Sequence, residues 1–248
     1  MGVWRGRRQH RRWALLAALL VVVGLPALAR GALPGPTAVP GPVTGFDVSG
    51  NTVSIEALPA RLQVVFLTDD LFRIWMTSDG KFTDPANTPP ERDGAPAANV
   101  VVKTDYAGVA PRATDEGVYH LLSTRSLALR VYKANLRFAL YKADNRTLIW
   151  EELIGPTWDG RQTTQVLSRG ADEQFFGGGM QNGRFSHREQ TIKVAVSYNW
   201  DDGGHPNSAP FYVSTAGYGV LRNTLAPGSY AFTAPVLTSH EEQRFDAF

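Results

Sequence analysis

Apolar and polar residues alternate with a period of two from Phe46 onward, broken every few residues by glycine, proline, asparagine or aspartate. This pattern sends successive side chains to opposite faces of an extended backbone, so it marks strands rather than helices. It is cleanest over 191–198, where Ile192, Val194, Val196 and Tyr198 share one face and Thr191, Lys193, Ala195 and Ser197 the other. Strands are also expected over 52–56, after a tight turn at Ser49-Gly50-Asn51, and over 61–68 and 71–76. Others follow at 100–102, 127–132, 136–141 and 147–151, and a hairpin at 211–214 and 218–222 turns across Thr215-Ala216-Gly217. After residue 31 no amphipathic helical stretch exceeds about three turns. Many short strands separated by turns predict an all-β sandwich or barrel. With 248 residues, 43% of them hydrophobic, the chain can bury a full core as one domain.

The first 31 residues have the three parts of an export signal: six arginines without an acid, the apolar run 14–23, and Ala27-Leu28-Ala29 after Gly24 and Pro26. The run is shorter than the roughly 20 residues that span a bilayer. A signal-peptide helix, export, and a secreted or extracellular destination are expected, with the membrane met only in passing. Residues 32–45, with four prolines and three glycines before Phe46, read as a spacer. Residues 79–99 read as a surface loop.

Removing the six N-terminal arginines from the 25 basic residues leaves 19 against 23 acidic ones, a balance of −4. The chain therefore offers no basic face to nucleic acid. The absence of cysteine excludes disulfides, thiolate metal sites and a cysteine nucleophile. No zinc-protease, phosphate-loop or nucleophile-elbow motif occurs, and no cofactor or metal site is expected. Gly177-Gly178-Gly179 is not a dinucleotide loop, because Asn182 stands where a glycine is required; it reads as a turn or a close backbone approach. His187, alternating with Phe185, reads as a packed or hydrogen-bonded side chain on a strand.

Asp201 and Asp202 sit where a strand opens into Gly203-Gly204-His205-Pro206-Asn207. Adjacent residues on an extended chain face opposite ways, so the pair does not make the two facing carboxyls of a glycosidase. Locally they suit a loop cap; alternatively one carboxylate bonds sugar hydroxyls beside the apolar ring of Trp200.

The string from Glu173 to Arg188 (EQFFGGGMQNGRFSHR), the run from Asn199 to Asn207 followed by Pro210 to Ser214, and Gly217 to Thr224 resemble the N-terminal domain of glycoside hydrolase family 31. The resemblance spans roughly 46–248. It implies a galactose-mutarotase-like β-sandwich packed against a catalytic (β/α)8 barrel in an α-glucosidase-type enzyme acting on α-glucans or oligosaccharides. The barrel's two catalytic aspartates have no counterpart here, so no catalytic residue is assigned. The chain is expected to be the N-terminal part of such an enzyme and inactive alone. The family's sandwich sends a loop over the barrel mouth, with an acid that bonds the sugar. The matching loop here makes Asp202 the first substrate-binding candidate and Asp201 the second, with Trp200 and His205 beside them. A free-standing carbohydrate-binding or structural sandwich is the alternative.

Overall fold

In a computed structural model the described residues are 38–82, 101, 106–195, 197 and 199–248. The chain divides into a unit Met1–Leu33, which lies outside the described residues, and a unit Pro34–Phe248. The expected signal helix and strand 100–102, most of the 79–99 loop, Val196 and Tyr198 therefore fall wholly or largely outside what is described.

Among the described residues the chain forms seventeen strands and no helix, as the period-two pattern predicts. One sheet has the order β1 (Gly45–Ser49), β2 (Thr52–Ala57), β3 (Ala60–Phe66), β4 (Phe72–Thr77) and β17 (Phe245–Ala247). A nine-stranded sheet begins with β12 (Thr191–Val194), β15 (Gly228–Ala231), β16 (Val236–His240) and β10 (Thr163–Leu167). It continues through β9 (Leu148–Trp158), β8 (Arg137–Lys142), β7 (Leu127–Tyr132), β6 (Tyr119–Ser123) and β5 (Arg112–Asp115). A third sheet joins β11 (Phe175–Met180), β13 (Asn207–Ser214) and β14 (Tyr218–Leu221). Neighbours within each sheet are antiparallel.

Alternation decides which side of each strand meets the core. Val53, Ile55 and Ala57 of β2 and Leu62, Val64 and Phe66 of β3 are buried, as are Leu129 and Val131 of β7 and Phe138 and Leu140 of β8. Burying such a side chain contributes about 1.5–3 kcal/mol each. The three-stranded sheet is joined to this core by aromatic rings. Phe175 stacks on Phe232 at 4.6 Å, and Tyr212 meets Phe232 edge-on at 5.2 Å.

Three expectations need correction. From Ala38 the proline- and glycine-rich stretch is not a free spacer: Ala38 and Trp158 exchange two backbone hydrogen bonds, and Val43 N–H donates to Lys133 O. Short runs between prolines are enough to pair with a strand edge. The strand expected over 191–198 stops at Val194. His187 lies in a loop rather than on a strand, although it is buried and hydrogen-bonded as anticipated.

Candidate functional site

The residues after β11 and those after β12 form two loops, 181–190 and 195–206, that are laced together. Asn182 supplies most of the lacing. Its N–H donates to Gly204 O (2.9 Å), its Nδ2 donates to Asp201 O (2.9 Å), and its carbonyl accepts from Gly203 N–H (3.3 Å). Within the second loop, Asn199 Oδ1 accepts from Asp201 N–H and Gly204 N–H donates to Asp201 O, both at 2.9 Å. That is an Asx-type turn, the local role available to these residues. A Cβ at Gly204 would stand 2.2 Å from Asn199 O, so only glycine lets the loop fold back.

The glycine run that precedes this junction is a strand with a bulge. Gly177 pairs with Tyr212 while Gly179 pairs with Ser208, and all three glycines have positive φ. A Cβ on Gly179 would lie 2.4 Å from Ala209 N. The close approach expected there is present, and the bulge turns the chain toward the groove.

Between the loops lie two adjoining hollows of about 500 and about 520 Å³, sharing Asn182, Arg184, Gln190 and Gly203 as walls. His187, Asn199 and His205 line the first and Asp202 the second. Asp202 is exposed, its carboxylate beside Gly183, where a Cβ would come within 3.1 Å of Oδ1. Asp201 is also exposed, but it holds the loop through its backbone carbonyl. Trp200 is 66% exposed on the same loop. His205 is half-buried, and its Nδ1 has no hydrogen-bond partner among the described residues. His187 donates from Nε2 to Gly177 O (2.9 Å) and stacks against Phe232.

All four candidates thus lie on one loop, and Asp202 and His205 line the groove. Sequence reasoning missed Asn182, Arg184 and Gln190 as its opposite wall; a signal was present for Asn182 and Arg184, which fall within the EQFFGGGMQNGRFSHR string, while Gln190 lies two residues past its end.

The site is polar, and Asp202 is the one acid among its lining residues. Among the described residues three buried acids lie elsewhere: Glu173 accepts from Ser214 Oγ and Gly170 N–H, Glu152 accepts from Gln165 Nε2 and Phe138 N–H, and Asp246 accepts from Arg73 and Asn223. Burial pushes the Glu152 carboxyl up to about 8, but this acid is enclosed in the core rather than facing a cleft. Among the described residues no three metal-binding side chains converge.

The model of the glycosyl hydrolase 31 N-terminal galactose mutarotase-like domain matches residues 61–230. No curated protein matches the chain in sequence. Solved structures do match in fold. A glycoside hydrolase family 31 dextranase of Flavobacterium johnsoniae, solved with isomaltotriose, superposes with a TM-score of 0.72 at 18% identity, over 85% of this chain and 26% of its own. The cycloalternan-forming enzyme of Listeria monocytogenes, in complex with a pentasaccharide substrate, gives 0.69 at 18% identity, over 85% and 21%. An α-1,4-glucan lyase of Gracilariopsis lemaneiformis gives 0.62 at 13% identity, over 86% and 28%. The chain therefore spans about a fifth to just over a quarter of the length of these proteins.

Proposed function

The chain belongs to the family of the glycosyl hydrolase 31 N-terminal galactose mutarotase-like domain, and on that premise we propose that it supplies the substrate-side sandwich of a secreted α-glucosidase-type enzyme. Its role is to shape one wall of a sugar site, and the bond-breaking carboxylates belong to a (β/α)8 barrel of the same polypeptide. Retaining cleavage needs two carboxyls about 5–5.5 Å apart across the bond, and this groove presents one exposed acid.

The single observation that carries the reading is Asp202 at the rim of a polar groove, held out by a loop that glycines and Asn182 fix in place. A carboxylate there accepts hydrogen bonds from two neighbouring sugar hydroxyls, and charge strengthens both. Trp200 offers a ring to the apolar face of a hexose, while Asn182, Arg184 and Gln190 provide donors opposite. The barrel is proposed to dock on the outer face of β11–β13–β14, where Val213 and Phe211 are exposed beside a half-buried Phe176.

Two measurements test this. The purified chain should release no product from an aryl α-glucoside; turnover above an empty-vector control overturns the assignment of chemistry to another domain. In an NMR titration with α-linked glucose oligosaccharides, weak binding of about 1 mM, near 4 kcal/mol, should perturb Asn182, Trp200, Asp202 and Gly203, and Asp202→Asn should abolish it. Shifts that survive in Asp202→Asn remove Asp202 from the site. The exposure of Trp200 favours one second reading, a free-standing carbohydrate-binding module, and saturable micromolar binding by the chain alone would select it.

A further inference from the structure

The sequence contains a single Asn-Gly pair, Asn182-Gly183, and the fold places it at the junction that holds the two groove loops together. We infer that this pair is a site of spontaneous covalent modification, and that its conversion unlaces the loops. The inference does not depend on the sugar-binding reading.

The local geometry exposes the reacting atoms. Gly183 is exposed at φ +114 and carries no Cβ to shield its nitrogen. Its N–H has no hydrogen-bond partner among the described residues, whereas the neighbouring Gly203 N–H is tied to Asn182 O. The side-chain amide of Asn182 is held by one hydrogen bond, from Nδ2 to Asp201 O. Each opening of that bond frees the Asn182 Cγ for attack.

In the step itself the Gly183 nitrogen forms a bond to Asn182 Cγ and the Cγ–Nδ2 bond breaks. Nδ2 leaves as ammonia with the proton lost from the Gly183 nitrogen, and a five-membered cyclic imide remains. Water then opens either imide carbonyl, leaving aspartate or isoaspartate at position 182. No other reactant is required.

Both products damage the junction. Aspartate replaces the Nδ2 donor with a carboxylate aimed at the Asp201 carbonyl oxygen, and it adds a negative charge beside Asp201 and Asp202. Isoaspartate also lengthens the backbone by one carbon, so the Asn182 N–H and C=O no longer match Gly204 O and Gly203 N–H. A groove wall shared by both hollows is then lost.

The test is prolonged incubation of the folded chain in mildly alkaline buffer, followed by tryptic digestion and fragmentation of the peptide spanning 170–184. The expected result is an amide-to-acid mass gain at residue 182, resolved into two isomeric products and faster as the pH rises. Amide exchange at Gly203 should accelerate in the modified fraction, and Asn182→Asp should reproduce part of that acceleration. If position 182 keeps its amide in the folded chain while a denatured sample converts, the fold protects the pair and the inference is overturned. Conversion that leaves Gly203 exchange unchanged overturns the unlacing.

Discussion

Glu152 is the residue whose chemistry departs furthest from its surroundings. It is fully enclosed on β9, with a backbone N–H and one glutamine amide as partners, and burial raises its carboxyl from 4.5 to about 8. Between those values the folded chain holds a proton that the unfolded chain has released. Raising the pH therefore favours unfolding: stability is greatest below about 4.5 and declines until about 8. One pKa unit corresponds to about 1.4 kcal/mol, so the full decline is on the order of 5 kcal/mol. His240 works in the opposite sense. Burial, helped by the nearby Arg222 charge, lowers its pKa to about 3, and the neutral ring accepts from Tyr230 Oη at Nε2 and donates from Nδ1 to Ala226 O. Stability linked to His240 is present above 6.5 and lost as the pH falls toward 3. The two dependences overlap, so the difference between wild type and Glu152→Gln isolates the acid. In urea titrations across this range, the variant should lose the decline and gain on wild type as the pH approaches 8. Gln165 can turn its amide to meet the new one, since its Oε1 has no hydrogen-bond partner among the described residues. Parallel pH profiles would show that Glu152 is ionised in the fold.

At the scale of the element, β17 shows how a three-residue strand persists. Asp246 is buried in its middle and accepts from Arg73 Nε (2.7 Å) and Nη2 (2.6 Å) on β4 and from Asn223 Nδ2 (2.7 Å). The guanidinium lies over the Trp75 ring at 3.7 Å. Breaking one side of a buried pair costs about 3–5 kcal/mol. Asp246→Ala should lower the denaturation midpoint accordingly and raise amide exchange at Asn223, whose N–H donates to Asp246 O. The sequence around Phe245-Asp246-Ala247 has the look of a strand, but the partner that pins it does not show there, because Asp246 is paired with a residue 173 positions away. β9 is hidden for a different reason. The pattern predicts a strand over 147–151, yet the strand runs from Leu148 to Trp158, through Gly155 and Pro156. Gly155 is required where a Cβ would meet Leu136 O at 2.0 Å, and a register shift against β10 accommodates the irregular stretch. The hairpins at Gly50-Asn51 and at Thr215-Ala216-Gly217 were legible because local turn chemistry alone decides them. The same contrast divides the groove. Its 199–205 wall is written in glycine, asparagine and aspartate, whereas the 181–190 wall depends on hydrogen bonds across some twenty residues of chain.

For the molecule as a whole, the informative surface is the outer face of β11–β13–β14. Phe176 pairs across with Val213, Phe211 stands on the same face as Val213 above Gly219, and Phe185, 88% exposed, leans on Phe176 at 5.1 Å. Contiguous apolar side chains on a sheet face mark a surface that another body covers. A second apolar row, Ile154–Val166–Leu237, crosses the nine-stranded sheet, but the pairs next to it, Thr164 with Thr157 and Ser239, are polar. If a barrel covers the first face in the complete polypeptide, the isolated chain should associate through it. Sedimentation velocity is expected to show concentration-dependent oligomers. Replacing Phe185 and Phe211 with serine and Val213 with threonine should return the chain to a monomer. These side chains are exposed and threonine suits a strand, so the melting temperature should move little. Leu237→Ser serves as the control and should leave the oligomers in place. A wild-type chain that is already a monodisperse monomer with a cooperative melt would show that this face needs no cover. The docking assignment would then fail while the assignment of Asp202 stood, because the groove loops and the sheet face are separate surfaces and the titration reads only the first.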